Sequence, residues 1–182
     1  MKSRTLLLAA FLALYSASAF PADSVAPGVS NFHKVDDRVY RGGQPTSEGL
    51  VNLSRMGIKT VIDLRLVDGS SQVEKKVAEG LGMHYVSVPM NGIAAPTDDD
   101  IAKVLSLLQS ESAAPVFVHC RRGKDRTGTV VACYRIQHDR WQNAQALKEA
   151  KSNGMSRLEV AMQRYILRYI PSLSPPLTAT RE

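Results

Sequence analysis

VFVHCRRGKDRTGT, residues 116–129, passes from β-branched and aromatic residues straight into a burst of charge. PVFVH (115–119) reads as a short buried strand, and RTGTVVACYRIQHD (126–139) reads as a helix. The six residues from Cys120 to Asp125 are therefore the connection between a strand end and a helix N-terminus. Gly123 lets that connection turn tightly. The amides of such a loop converge on one point, an arrangement that binds an anion, preferably a phosphate.

Outward from this stretch, strands and helices alternate. In KVDDRVYRGGQP (34–45), Val39 and Tyr40 are the best residues of a short strand, ended by Gly42, Gly43 and Pro45. Thr46 or Ser47 caps a short helix carrying Leu50, Leu53 and Met56, with Gly57 as its stop. IKTVIDLR (58–65) is a strand, Ser71–Leu81 a helix ended by Gly82, MHYVSVPM (83–90) a strand and NGIAAP (91–96) a loop. Thr97 caps TDDDIAKVLSLLQS (97–110), with Asp98, Asp99 and Asp100 in the first turn and Asp100 placed for a capping box. Two helices follow the opening stretch: NAQALKEAKSN (143–153), stopped by Gly154, and MSRLEVAMQRYILRYI (155–170). In the latter, Tyr165 with Tyr169 and Ile166 with Ile170 repeat every four residues and read as core. The order predicts an α/β domain over residues 31–170, with a largely parallel central sheet flanked by helices on both faces. Ligands of such sheets bind beyond the carboxyl ends of the strands, where Cys120 is delivered.

The two ends read differently. Lys2 and Arg4 precede an apolar run from Leu6 to Tyr15, followed by Ser16, Ala17, Ser18 and Ala19. A basic start, a short apolar stretch and small residues predict a cleaved secretory signal over residues 1–19. The apolar run is shorter than the about 20 residues of a spanning helix, and no lipid-attachment cysteine follows. The expectation is a periplasmic or secreted protein without a stable membrane anchor. FPADSVAPGVS (20–30) reads as a linker and PSLSPPLTATRE (171–182) as a disordered tail.

With 44% hydrophobic and 22% charged residues over 182 positions, the chain can bury an ordinary core without a disulfide framework or a metal. Loss of Lys2 and Arg4 lowers the formal charge of +6 by two, to +4. That balance favours anionic ligands but is no signature of nucleic-acid binding, and Lys/Arg runs with interleaved aromatics are missing. The oligomeric state has no signature in the sequence. Of the two cysteines, Cys133 lies about two helical turns into the 126–139 helix, roughly 10 Å from its start. That is too far for a disulfide with Cys120, so Cys133 reads as a small buried residue.

The residue types of the loop then fit one chemistry. A thiolate is the nucleophile, and a helix N-terminus with neighbouring cations stabilises that form. Arg126 returns to the same point six residues after Cys120, and its planar fork suits two phosphate oxygens. Arg121, Arg122 and Lys124 add positive potential. HCRRGKDRTG resembles the HCxxGxxRTG signature of the cysteine-dependent protein phosphatases, dual-specificity branch, through His119, Cys120, Gly123, Arg126, Thr127 and Gly128. VYRGGQP followed by GIKTVIDLR resembles the opening of compact, exported bacterial members, and the element order from Val39 to Ile170 fits that fold.

The resemblance implies roles. Cys120 attacks phosphorus and becomes phosphocysteine. Arg126 binds the phosphoryl group, and the amides from Arg121 to Arg126 cradle its oxygens. His119 orients the loop, and Thr127 assists breakdown of the intermediate. No metal or cofactor is implied, and no His/Cys metal spacing is present. The general acid stays open. The family's usual position falls on Met90–Ile93, which holds no carboxylate. The first candidate is Asp98, whose structural alternative is a helix N-terminal charge, and the second is Asp125, whose alternative is a salt bridge holding the loop; water or the substrate is the third source.

Other residues carry weaker signals. Arg41 reads as pocket rim or ordinary surface. Asp63 and Arg65 read as a structural pair. His33, His84 and His138 read as structural or surface, and Trp141 as packing. The expected substrate is a phosphorylated protein or small phosphomonoester, phosphotyrosine first and phosphoserine or phosphothreonine after it. Arg121 and Lys124 flanking Gly123 also suit a phosphoinositide or another polyanionic phosphate. A non-catalytic phosphate-binding module is a third reading. A rhodanese-type sulfurtransferase would have a shorter loop and no RTG continuation.

Overall fold

The computed structural model describes residues 26–172. The expected signal segment, residues 20–25 of the expected linker and residues 173–182 of the expected tail lie outside the described residues. Five strands, β1 (His33–Lys34), β2 (Val39–Gly42), β3 (Thr60–Asp63), β4 (His84–Ser87) and β5 (Val116–His119), form one sheet in the order β1-β2-β5-β3-β4. β1 runs antiparallel to β2 and every other pair is parallel, the largely parallel sheet that the alternating elements predicted. The register pairs His119 with Gly42 on one side and with Asp63 on the other. Residues following β2 and β3 therefore flank Cys120.

The stretch around Lys34–Tyr40 is a hairpin rather than one strand. The Asp36 carboxylate accepts the amides of Arg38 at 2.7 Å and Val39 at 2.8 Å, which folds the chain back on itself.

Six helices complete the domain: α1 (Ser47–Arg55), α2 (Gly69–Gly80), α3 (Asp98–Gln109), α4 (Asp125–Gln137), α5 (Asn143–Ser152) and α6 (Val160–Arg168). Thr46 caps α1, and Thr97 with Asp100 forms the expected capping box of α3. α2 starts two residues before the expected Ser71, because Asp68 is its cap and Ser71 the reciprocal partner. α6 starts at Val160, not near Met155. There the Ser156 amide goes to Asp125, and the carbonyls of Ser156 and Arg157 go to the Gln163 side chain. Because α6 ends at Arg168, the four-residue repeat does not bury Ile170, which is 83% exposed; Ile166 is core and Tyr165 and Tyr169 are half-buried.

Alternation along the strands divides the core. Val61 and Phe117 face α1 and α2 through Leu50, Leu53 and Ala78. Ile62, Val116 and Val118 face α3 and α4 through Ile101, Val104, Leu108, Val130 and Val131. α5 and α6 pack on the far side of α4 through Ala132, Ile136, Ala146 and Ile166, with Trp141 against this cluster as expected. α4 is thus sandwiched between the sheet and two helices, so it is buried almost all round. Residues 26–30 correct the linker reading. Ala26 and Val29 are core, Thr46 donates its amide to Gly28, and Gly43 donates to Ser30. Both cysteines are free and buried. Burial pushes the Cys133 thiol up, and the charge of Asp98 adds to the effect. Among the described residues no helix is long and apolar enough to cross a membrane.

Candidate active site

β5 ends at His119, and α4 begins at Asp125. The intervening loop turns at Gly123, whose φ is +69°. A side chain at Gly123 would overlap the backbone of Gly42 and Gly43, and one at Gly43 would press on the Arg122 backbone, so these two glycines let the end of β2 lie directly against the loop. The loop's outward groups are held there. The Arg121 carbonyl accepts the Gln44 amide at 3.3 Å. The Gly123 carbonyl accepts Arg41 Nη2 at 2.6 Å and Asn31 Nδ2 at 2.8 Å. The first amides of α4 have no partners within the helix, so they remain for a ligand at its N-terminus.

Cys120 is 3% exposed at the floor of this loop, while Arg121, Arg122 and Lys124 are exposed on its outside. Arg126 reaches across to the ends of the neighbouring strands, where its Nη1 donates to the carbonyls of Leu64 at 3.1 Å and Met90 at 3.4 Å. Among the described residues its remaining N–H groups have no protein acceptor. Thr127 is fully buried and its Oγ1 has no protein partner among the described residues, which leaves the hydroxyl available beside the loop.

Arg41 is neither rim nor surface. It is 1% exposed behind the loop, with Nε and Nη1 lacking protein partners. Burial pushes its guanidinium down to about 10, partly offset by the charges of Glu149 and Cys120. A cation thus lies within electrostatic reach of the thiol from the protein side as well as from solvent.

The second buried cluster lies beneath His119. Its Nε2 is 2.8 Å from Glu74 Oε1 and 3.9 Å from Asp63 Oδ1, and its ring stacks on Phe117. The 2.8 Å approach lies off the line of a hydrogen bond. Arg65 ties the carboxylates together: Nε donates to Asp63 Oδ1 at 2.8 Å, and Nη2 donates to Asp63 Oδ2 and Glu74 Oε2, each at 2.7 Å. Tyr85 adds its hydroxyl to Asp63 at 2.6 Å. Burial would raise the Asp63 carboxyl, but the Arg65 hydrogen bonds, the His119 charge and Tyr85 hold it below the usual carboxylate range. Asp63, Glu74 and His119 have the composition of a metal site, yet the cation between the carboxylates is the Arg65 guanidinium. The expected Asp63–Arg65 pair is present, and Glu74 is the member that the sequence reading missed. Its signal was there: Ser71, Glu74 and Ala78 form the buried stripe of α2, so a glutamate occupies a core position.

The two candidate acids are placed apart. Asp125 opens α4, and its Oδ1 accepts the Ser156 amide at 2.8 Å. Asp98 accepts the Tyr165 hydroxyl at 2.7 Å, and its charge acts on Cys133, which lies eight residues into α4, about 12 Å along the axis. The structure therefore brings Asp125, and not Asp98, to the loop. His33 touches Asn31, His84 is exposed on β4, and His138 stacks on Tyr134 and pairs with Asp139.

Comparison with known proteins agrees with this geometry. The family described as "DSP-PTPase phosphatase fused to NAD+ Kinase" matches residues 16–167. The dual specificity protein phosphatase TpbA of Pseudomonas aeruginosa is 31% identical over 137 residues, covering 73% of this chain and 58% of that protein. An inositol diphosphatase of Arabidopsis thaliana is 29% identical over 138 residues, covering 72% of this chain and 65% of the relative. The chain thus spans less than two thirds of these relatives. The crystal structure of P. aeruginosa TpbA superposes with a TM-score of 0.67 at 26% identity, covering 80% of this chain and 89% of that one. A variant of the same phosphatase has been crystallised in complex with pTyr. The signature loop, its strand-to-helix setting and the extent of the match agree: this chain belongs to the DSP-PTPase family of cysteine-dependent phosphatases.

Proposed function

We propose that the protein hydrolyses phosphomonoesters through a phosphocysteine at Cys120, with phosphotyrosine proteins as the leading substrate class. The loop geometry carries this reading: Cys120 is buried where β5 passes into the loop, and Arg126 at the start of α4 reaches across to the carbonyls of Leu64 and Met90. The sulfur attacks phosphorus while Arg126 and the loop amides take up charge on the equatorial oxygens. The ester P–O bond breaks, and the leaving oxygen takes a proton. Water then attacks phosphorus, the S–P bond breaks, and inorganic phosphate and free thiolate are released. Asp125 is the group we assign to the proton, because it alone of the two candidates adjoins the loop. A phosphotyrosine peptide, whose leaving group is poor, depends on that proton more than p-nitrophenyl phosphate does. Asp125→Asn should therefore lower peptide turnover by about 10²-fold and aryl phosphate turnover far less, with Asp98→Asn near wild type. The reverse pattern would transfer the role to Asp98.

A second reading is favoured by the exposed Arg121, Arg122 and Lys124 of the loop, which suit an inositol phosphate or phosphoinositide. The ratio of kcat/KM for phosphotyrosine peptide to that for an inositol polyphosphate, measured on one preparation, decides between them. We also propose that the protein is exported, on the strength of the basic, apolar and small-residue order of residues 1–19. N-terminal sequencing of protein from the periplasmic fraction should begin at Phe20; a chain beginning at Met1 would overturn this.

A further inference from the structure

We propose that Asn31 is a positioning residue for phosphate binding and turnover: its side-chain amide locks the Gly123–Lys124 peptide with the carbonyl outward, so that the Lys124 N–H joins the anion cradle. In a trans peptide the carbonyl and the following N–H point in opposite directions. The carbonyls of Arg121 and Gly123 are both drawn toward residues 31–44, by Gln44 in one case and by Arg41 and Asn31 in the other. The amides of Arg122 and Lys124 are thereby turned to the other side, toward the phosphate. A flip of the 123–124 peptide would present a carbonyl oxygen to a dianion instead.

Arg41 alone supplies one donor to the Gly123 oxygen, about which the peptide plane can still swing. Asn31 supplies the second donor, and a carbonyl with both lone pairs engaged is fixed in plane. The geometry of Asn31 is specific to this task. Its φ is +50°, a left-handed conformation that asparagine tolerates better than most residues. Its Nδ2 uses both hydrogens, donating to Gly123 O at 2.8 Å and to Asn153 O at 3.0 Å. Both acceptors are carbonyls, so the amide nitrogen and not the oxygen must face them. The oxygen instead meets His33 Nε2 at 3.2 Å. Through Asn153 the same side chain reaches the turn whose Ser156 amide holds Asp125. A single side chain, two positions ahead of β1, thus ties together the loop, the lead-in and the α5–α6 turn.

This role rests on the phosphatase reading, and its test separates the two. The kcat and KM for p-nitrophenyl phosphate and the Ki of orthovanadate are measured for wild type, Asn31→Ala, Asn31→Asp and Asn52→Ala. Asn52 also tethers the lead-in, through Nδ2 to Pro27 O at 3.0 Å, but has no hydrogen bond to the loop. Asn31→Ala should raise the vanadate Ki and lower kcat/KM by about 10-fold, mostly in kcat, since the cradle binds the transition state more tightly than the ester. Asn31→Asp, which turns a carboxylate on two carbonyls, should lose about 100-fold. Asn52→Ala should match wild type. Wild-type constants for Asn31→Ala, or an equal loss in Asn52→Ala, would overturn the proposal. If the wild-type protein turns over no phosphomonoester, vanadate affinity read from the Lys124 amide ¹⁵N shift still decides. Weakened binding in Asn31→Ala alone then keeps the lock while the phosphatase reading falls.

Discussion

Cys120→Ser is expected to abolish hydrolysis of p-nitrophenyl phosphate, by about 10⁴-fold or more, while inorganic phosphate still binds. The loss is large because no other nucleophile is available at that point. The serine hydroxyl is a far weaker nucleophile than a thiolate at neutral pH, and the surrounding cations cannot compensate. Binding should survive because it depends on groups the substitution does not touch: the loop amides, Arg126 and the positive potential of Arg121, Arg122 and Lys124. Steady-state turnover and phosphate titration of the same variant check both halves. Appreciable turnover by the serine variant would exclude the covalent route. Loss of phosphate binding together with activity would mean that the loop itself had collapsed.

Arg65→Met is expected to be the most damaging change for stability outside the loop, at roughly 3–5 kcal/mol, a melting-temperature fall on the order of 6–20 °C for a domain of this size. Arg65 makes three charged hydrogen bonds to two carboxylates that are themselves buried, with side-chain exposures of 0% for Asp63 and 3% for Glu74. Its removal takes away the guanidinium shared by both carboxylates, leaving the Tyr85 hydroxyl and the His119 ring as their nearest polar side chains. The sign with pH follows from Asp63, whose carboxyl is held below its ordinary value. Such a group contributes stability that is fully present above the ordinary range near about 4 and is lost as the pH falls through the lower native value. The gap between wild type and Arg65→Met should therefore be widest near neutrality and narrow in acid. Urea unfolding at pH 7 and pH 3 measures it. A gap below about 1 kcal/mol at pH 7, or one that widens in acid, would contradict this account of the cluster.

What could be read in the sequence was what local spacing determines. The apolar run of β5, the Cys120-to-Arg126 interval and the Thr97 capping box each lie within a few residues, and the structure has them where expected. What could not be read depends on contacts across the chain. Asn31 meets a carbonyl 92 positions away and Arg41 one 82 positions away. Nothing in the local pattern distinguishes an arginine bound for the interior from one on the surface. The residues at 26–30 lacked periodicity because they pack as an irregular strap, anchored by Ala26 and Val29, and not as a helix or strand. Asp98 stands as a candidate in the sequence because it is the first carboxylate after β4, where a helix N-terminal charge also sits; only the tertiary placement of Tyr165 and Cys133 separates the two roles.

The docking of Gly42 and Gly43 against Gly123 has a consequence for the order in which the molecule can become reactive. Synthesis delivers the chain from its N-terminus, so the strap and β2 emerge first and wait for a partner some eighty positions behind them. The cradle cannot close until that late segment arrives and the long-range pairing of β2 with β5 forms, a slow class of event. Throughout that interval Cys120 has neither its amides nor the buried Arg41 around it. On the phosphatase reading, reactivity at Cys120 is therefore expected only once the sheet is complete, late in the life of a newly made chain.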